Sequence, residues 1–89
     1  MNKPFNELTP AEAERLAYLI EEASEVIQAA SKILRHGYAS YNPHNVEAGT
    51  NRRQLTAELV DLAGAIARME AAGDVCEPVL SAASPHKGA

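Results

Sequence analysis

The hydrophobic positions of this 89-residue chain recur at helical spacing in two long segments. In the first segment, apolar side chains return every three or four residues from Leu16 to Leu34, the spacing of one face of an α-helix. In the second, the same period runs from Leu55 to Met69. Because two such stripes can be buried against each other, the pattern predicts an all-α fold built on an antiparallel hairpin of two long helices.

Capping residues mark where the first helix begins and ends. Thr9 and Glu12 have the spacing of a capping box, and Pro10 fits the first helical position between them. Gly37 then stops the helix after His36, because glycine readily adopts the positive φ that ends a helix. We therefore expect the first helix to run from about residue 10 to about residue 36.

The second helix has signals of the same kind. Asn51 is the expected N-cap, with Gln54 completing a capping box, and Gly73 closes the helix. The segment between the helices, YASYNPHNVEAG, is rich in Asn, Gly and Pro and is predicted to be a loop. We expect residues 1–75 to form one helical domain and the small, polar, proline-broken residues 76–89 to form a flexible C-terminal tail.

A row of small residues follows the second helix on the side away from its apolar stripe. Such a row allows another helix to approach closely, so it predicts contact with a second subunit, although an alanine-rich solvent face would look the same. The expected fold is thus a hairpin that completes a helical bundle by homo-oligomerisation. The residues in the row are Ala57, Val60, Gly64, Ala67 and Ala71.

Composition and charge narrow the classes of function. With 46% hydrophobic residues, one Phe and no Trp, the chain can form only a thin core, which favours a partner subunit. The formal net charge of -4 disfavours a nucleic-acid partner. Cys76 is the single cysteine, as expected in a reducing cytoplasm. The first residues lack the apolar stretch of a signal peptide and no run approaches the ~18 residues of a membrane span, so we expect a cytoplasmic protein with no membrane partner.

Two pairs of acidic residues border the apolar stripes. Glu22 and Glu25 are three residues apart on the first helix, and Glu58 and Asp61 repeat this spacing on the second. Residues three apart project from one side of a helix, so in an antiparallel hairpin the two pairs can meet near mid-helix. Four carboxylates in one place repel one another unless a hard divalent cation neutralises them. The alternative is a solvated, salt-bridged face.

The spaced double motif resembles the MazG-like all-α nucleoside triphosphate pyrophosphohydrolases. The strings LIEEASEVIQAASKILRHG and NRRQLTAELVDLAGAI are similar to small phage-type members of that superfamily, over roughly residues 9–73. The resemblance implies that Glu22, Glu25, Glu58 and Asp61 are catalytic and bind Mg²⁺ or Mn²⁺. It also implies hydrolysis of a (d)NTP to a (d)NMP and pyrophosphate by a dimer or tetramer, in the host cytoplasm if phage-encoded.

Aromatic and basic residues near the acidic pairs and in the loop are candidates for binding the nucleotide. Aromatic rings can stack on a base, and cationic side chains and helix N-termini attract phosphate. Packing at the rim of the core and ordinary turn chemistry are the alternatives for these residues. The candidates are Tyr18, Lys32, Tyr38, Tyr41, Arg52, Arg53 and Arg68.

Two rival functions come from other classes. One is a non-catalytic phage protein that sequesters a nucleotide or cyclic nucleotide, and it would bind ligand without turnover. The other is a structural or regulatory oligomer whose carboxylates make only surface ion pairs, and it would gain no thermal stability from Mg²⁺.

Overall fold

The computed structural model describes residues 5–83 and contains two long helices that pack against each other. Helix α1 spans Pro10–His36, helix α2 spans Asn51–Ala72, and a 3₁₀ turn at Val46–Ala48 interrupts the connecting loop. These bounds confirm the all-helical hairpin expected from the sequence. Neither helix in this part of the chain is long and apolar enough to cross a membrane.

The start of α1 is a capping box, as its sequence predicts. The Glu12 backbone N–H donates to the Thr9 hydroxyl at 3.1 Å, and the Thr9 N–H donates to the Glu12 carboxylate at 2.8 Å. Two of the N–H groups that a helix start leaves without partners are thereby satisfied. At the other end, Gly37 has a φ of 89° and its N–H donates to the Ile33 carbonyl at 2.7 Å.

The cap of α2 is shifted by one residue from the sequence-based expectation. Thr50 is the N-cap, and its hydroxyl accepts from the Arg53 N–H at 3.3 Å. Asn51 is 4% exposed, and its Nδ2 donates to the Gly37 carbonyl at 3.0 Å. The prediction of Asn51 as the cap was wrong because the preceding threonine can cap equally well and frees the asparagine to cross the hairpin. Asn51 therefore joins the end of α1 to the start of α2.

Removal of this cross-connection is expected to destabilise the hairpin. Asn51→Ala leaves the Gly37 carbonyl without its side-chain donor and should lower the free energy of unfolding by about 1–3 kcal/mol. Urea denaturation at fixed protein concentration measures this. Asn45→Ala is the matched control, because Asn45 is exposed and its side chain makes no capping hydrogen bond. Equal stability of both variants and the parent would contradict a structural role for Asn51.

An ion pair closes the opposite end of the hairpin. Arg15 on α1 donates to both carboxylate oxygens of Asp74, at 2.5 and 3.0 Å. This hydrogen bond from Arg15 lowers the pKa of Asp74, against the opposing effect of burial. The chain beyond Asp74 is held to α2 by the Glu70 carboxylate, which accepts from the backbone N–H groups of Val79 and Leu80. Flexibility of the tail stays a prediction, and its last residues, 84–89, lie outside the described part.

The core of the hairpin is thin. Among the described residues, the only buried apolar side chains are Ala65 and Met69, and no large side chain is fully buried. The predicted stripe on α1 is too broad for one partner helix to cover. Three of its members, Ile20, Ile27 and Leu34, remain 68%, 65% and 89% exposed. Because they are seven residues apart, they form one exposed apolar row along α1.

Candidate functional site

Carboxylates from both helices meet at the middle of the hairpin. Glu22 of α1 and Glu58 and Asp61 of α2 each offer an oxygen, and these oxygens lie within 4.8 Å of one another. The spacing of three residues on each helix puts the acidic side chains beside the apolar stripes, which α1 and α2 bring together. The structure thus unites three of the four acidic residues singled out in the sequence.

Glu22 is the least accessible member of this cluster. It is 6% exposed, and its Oε1 atom has no hydrogen-bond partner within the described residues. A buried carboxylate oxygen without a donor or cation is costly, so native proteins rarely keep one. Glu58 is partly buried and Asp61 is exposed, so the cluster is closed at Glu22 and open to solvent at Asp61.

The surroundings of Glu22 favour its protonated form. Its pKa is raised to about 7, first because its carboxyl can share a proton in a hydrogen bond with Glu25. Burial and the negative charges of Glu25, Asp61 and Glu21 act in the same direction. The pKa of Glu58 is also raised, chiefly by burial and then by the charges of Glu25 and Asp61. A group of acids that resist ionisation is typical of a site that receives a positive charge.

Glu25 lies beside the three-oxygen cluster. It is partly buried and close enough to raise the pKa of both Glu22 and Glu58. Its oxygens are not part of the set that lies within 4.8 Å. Glu21, which directly precedes Glu22 in the sequence, is exposed.

Two of the predicted nucleotide-binding residues contact each other near the acidic cluster. The Arg68 guanidinium lies over the Tyr18 ring, 4.6 Å from its centroid. Tyr18 precedes Glu22 by four residues, or ~6 Å along the helix. Arg68 therefore occupies one face of the ring on which a base was expected to stack.

The nucleotide-binding candidates in and beside the loop lie in two separate places. Arg52 lies over the Tyr38 ring at 4.8 Å, again a pairing of a cation with an aromatic face. Lys32 approaches the Gln54 side chain at 3.5 Å, and Tyr41 is bridged to Thr50 through the backbone. The structure brings Lys32 and Tyr41 together along one cleft at the loop end of the hairpin.

This cleft contains residues to which the sequence analysis gave no binding role. It has a volume of about 390 Å³. Arg35 and His36, whose position at the end of a helix also suits the helix dipole, contribute two of its three basic side chains. The sequence signal that could have revealed them is the close succession of basic residues after Ile33. The residues that matter here are Lys32, Arg35, His36, Tyr41, Asn51 and Gln54.

The start of α2 has fewer free N–H donors for a phosphate than the sequence suggests. The N–H groups of Asn51 and Arg52 donate to the carbonyls of Ser40 and Tyr38, at 2.8 and 3.0 Å. The next N–H group, of Arg53, is engaged by its cap. Because these donors already have partners, the helix N-terminus is not a free anion site.

Comparison with protein-family models, with curated proteins and with solved structures finds no match to this chain.

Proposed function

We propose that this protein is a metal-dependent nucleoside triphosphate pyrophosphohydrolase of MazG-like type, with its metal centre at Glu22, Glu58 and Asp61. The observation that carries the proposal is the buried Glu22 oxygen without a hydrogen-bond partner, in a cluster of carboxylate oxygens within 4.8 Å of one another. The donors are all hard oxygens, which Mg²⁺ and Mn²⁺ prefer. The residues present therefore fit such a cation.

Different side chains of the described residues would have different roles in this reaction. Glu22, Glu58 and Asp61 would hold Mg²⁺ or Mn²⁺, and Glu25 would lie beside them as the fourth carboxyl group of the site. The bound cation would supply neutralisation of phosphate charge and a lowered pKa for the attacking water. Arg68, held over Tyr18, is the candidate to contact a phosphate oxygen of the substrate.

Release of pyrophosphate from a panel of NTPs and dNTPs tests this function. The reaction is expected with Mg²⁺ or Mn²⁺ and should stop when EDTA removes the cation. Turnover would exclude the sequestering protein that the sequence left open as an alternative. Tight nucleotide binding without any release of pyrophosphate would favour that alternative and contradict the enzyme.

The same proposal includes a homo-oligomer, because the hairpin leaves apolar surface uncovered. Only Ala65 and Met69 are buried apolar residues in the described chain, too few for a stable single core. The exposed row Ile20, Ile27 and Leu34 is the surface that a second copy would cover. The small residues of α2 are also exposed, and a side-chain carbon at Gly64 would meet nothing within 4 Å.

A charge in the exposed row is expected to break the oligomer. Ile27→Glu places a carboxylate where the partner helix would pack, and burial of that charge costs more than the contact gains. The molar mass from light scattering should fall from that of a dimer or tetramer to that of one chain. Gln28→Glu, at an exposed neighbouring position, is the control and should leave the mass unchanged. A parent protein that is already monomeric would contradict the oligomer.

A further inference from the structure

Three basic side chains line one cleft of a chain that is acidic overall. The formal net charge is -4, yet the cleft between the last turn of α1 and the first turn of α2 is lined by Lys32, Arg35 and His36. None of the described residues that line it is acidic. The cleft, of about 390 Å³, is within the size range of small-molecule sites.

The cations of this cleft are not used in ion pairs within residues 5–83. The ion pair in that range joins Arg15 and Asp74, at the opposite end of the hairpin. Lys32 makes only a long contact, 3.5 Å, with the amide oxygen of Gln54. Its ammonium group and the Arg35 guanidinium therefore keep donors that a ligand can use.

Two amide side chains that line the cleft are held in place by hydrogen bonds within the protein. The Asn51 amide donates to the Gly37 carbonyl at 3.0 Å, and the Gln54 amide donates to the Gly49 carbonyl at 3.2 Å. These bonds fix the two amides and do not involve the basic side chains. A ligand would thus meet two amide groups that are already ordered, which reduces the entropy lost on binding.

We propose that this cleft binds the phosphate group of a phosphate ester, without a metal ion, through Lys32 and Arg35. Arginine gives a phosphate two parallel hydrogen bonds, and lysine adds a point charge. Tyr41, half exposed at the rim, gives an organic group of the ester an aromatic surface. The cleft is separate from the carboxylates, since Lys32 follows Glu25 by two helical turns, ~10 Å. Its binding does not depend on hydrolysis at that centre.

Backbone NMR of the full chain in EDTA tests the proposal with two probes, inorganic phosphate and AMP. Both probes should shift the signals around Arg35, Tyr41 and Gln54 at constant ionic strength, with adenosine as the uncharged comparison. Tighter binding of AMP than of phosphate would assign the cleft to a nucleotide. Equal binding would assign it to phosphate itself. A response matched by chloride at the same ionic strength would overturn the proposal.

Variants separate a phosphate site from a general effect of charge. Arg35→Gln and Lys32→Gln should each weaken binding about tenfold, the usual effect of losing one charged hydrogen bond. Arg53→Gln removes the same charge at the start of α2. The sequence made Arg53 a binding candidate, but the structure places its side chain against Gly49 and outside the lining of the cleft. It should change affinity less than about twofold, as expected for a screened surface charge. Equal losses in all three variants would contradict the assignment to the cleft.

Discussion

Replacement of Glu22 by Gln is expected to abolish most of the pyrophosphate release that we propose for this protein. The substitution keeps the size of the side chain but removes the buried, ionisable carboxyl group that lies beside Glu58 and Asp61. Because a bound cation contributes several kcal/mol of charge stabilisation, kcat/KM should fall on the order of 10³-fold. Asp61→Asn should lower kcat/KM to a similar extent, since it removes another anionic oxygen of the cluster.

Glu21→Gln is the matched control for this loss. Glu21 is adjacent in sequence and loses the same charge, but it is exposed and outside the three-oxygen cluster. Its kcat/KM should stay within a few-fold of that of the parent, as expected for a solvated charge. Steady-state assays at saturating Mn²⁺ would show whether lost activity reflects weaker metal binding. A Glu22→Gln enzyme with parental activity would contradict the proposed metal centre.

The second large effect is a loss of stability as the pH rises in the absence of a divalent cation. The pKa of Glu22 is about 7 in the folded chain, above its ordinary value of 4.5. Between these values the folded state keeps a proton that the unfolded state has released, so stability decreases with rising pH. The raised pKa of Glu58 acts in the same direction. Asp74, with its lowered pKa, gives stability that is lost only as the pH falls below its ordinary 3.8.

Thermal unfolding in EDTA at pH 5 and pH 8 measures this effect. The Tm of the parent should be lower at pH 8, and Glu22→Gln, which cannot ionise, should reduce the difference. Added Mg²⁺ or Mn²⁺ should raise the Tm most at pH 8, where the carboxylates are ionised and bind the cation best. Glu21→Gln should keep most of the parental difference, because the Glu21 charge is the smallest of the named causes that raise the Glu22 pKa. A Tm that rises from pH 5 to pH 8 in EDTA would contradict the protonated state of Glu22.

The helices could be predicted from the sequence because their signals are local. The capping box of Thr9 and Glu12 and the stop at Gly37 depend on residues within a few positions of one another. The cap of α2 could not be assigned in this way. Thr50 and Asn51 are both good capping residues, and the choice depends on the hydrogen bond from Asn51 to the distant Gly37 carbonyl.

The candidate site was predictable only in part, for a related reason. Equal spacing on two helices predicted that acidic residues would meet, and α1 and α2 do bring three of them together. It could not distinguish Glu25, which lies beside the cluster, from Glu22, which is buried in it. That difference depends on the rotation of each helix about its own axis, which packing determines. The basic cleft was missed because it forms where the loop returns the chain to Arg35 and His36.

Calorimetric titration of Mn²⁺ into the metal-free protein tests whether these carboxylates bind a divalent cation. We expect saturable binding at a fixed stoichiometry per chain, lost in Glu22→Gln and in Asp61→Asn and retained in Glu21→Gln. Proton release should accompany binding near pH 7, because Glu22 gives up the proton that its raised pKa retains. The absence of saturable binding in the parent, or equal binding in all three variants, would contradict a divalent cation site at these carboxylates.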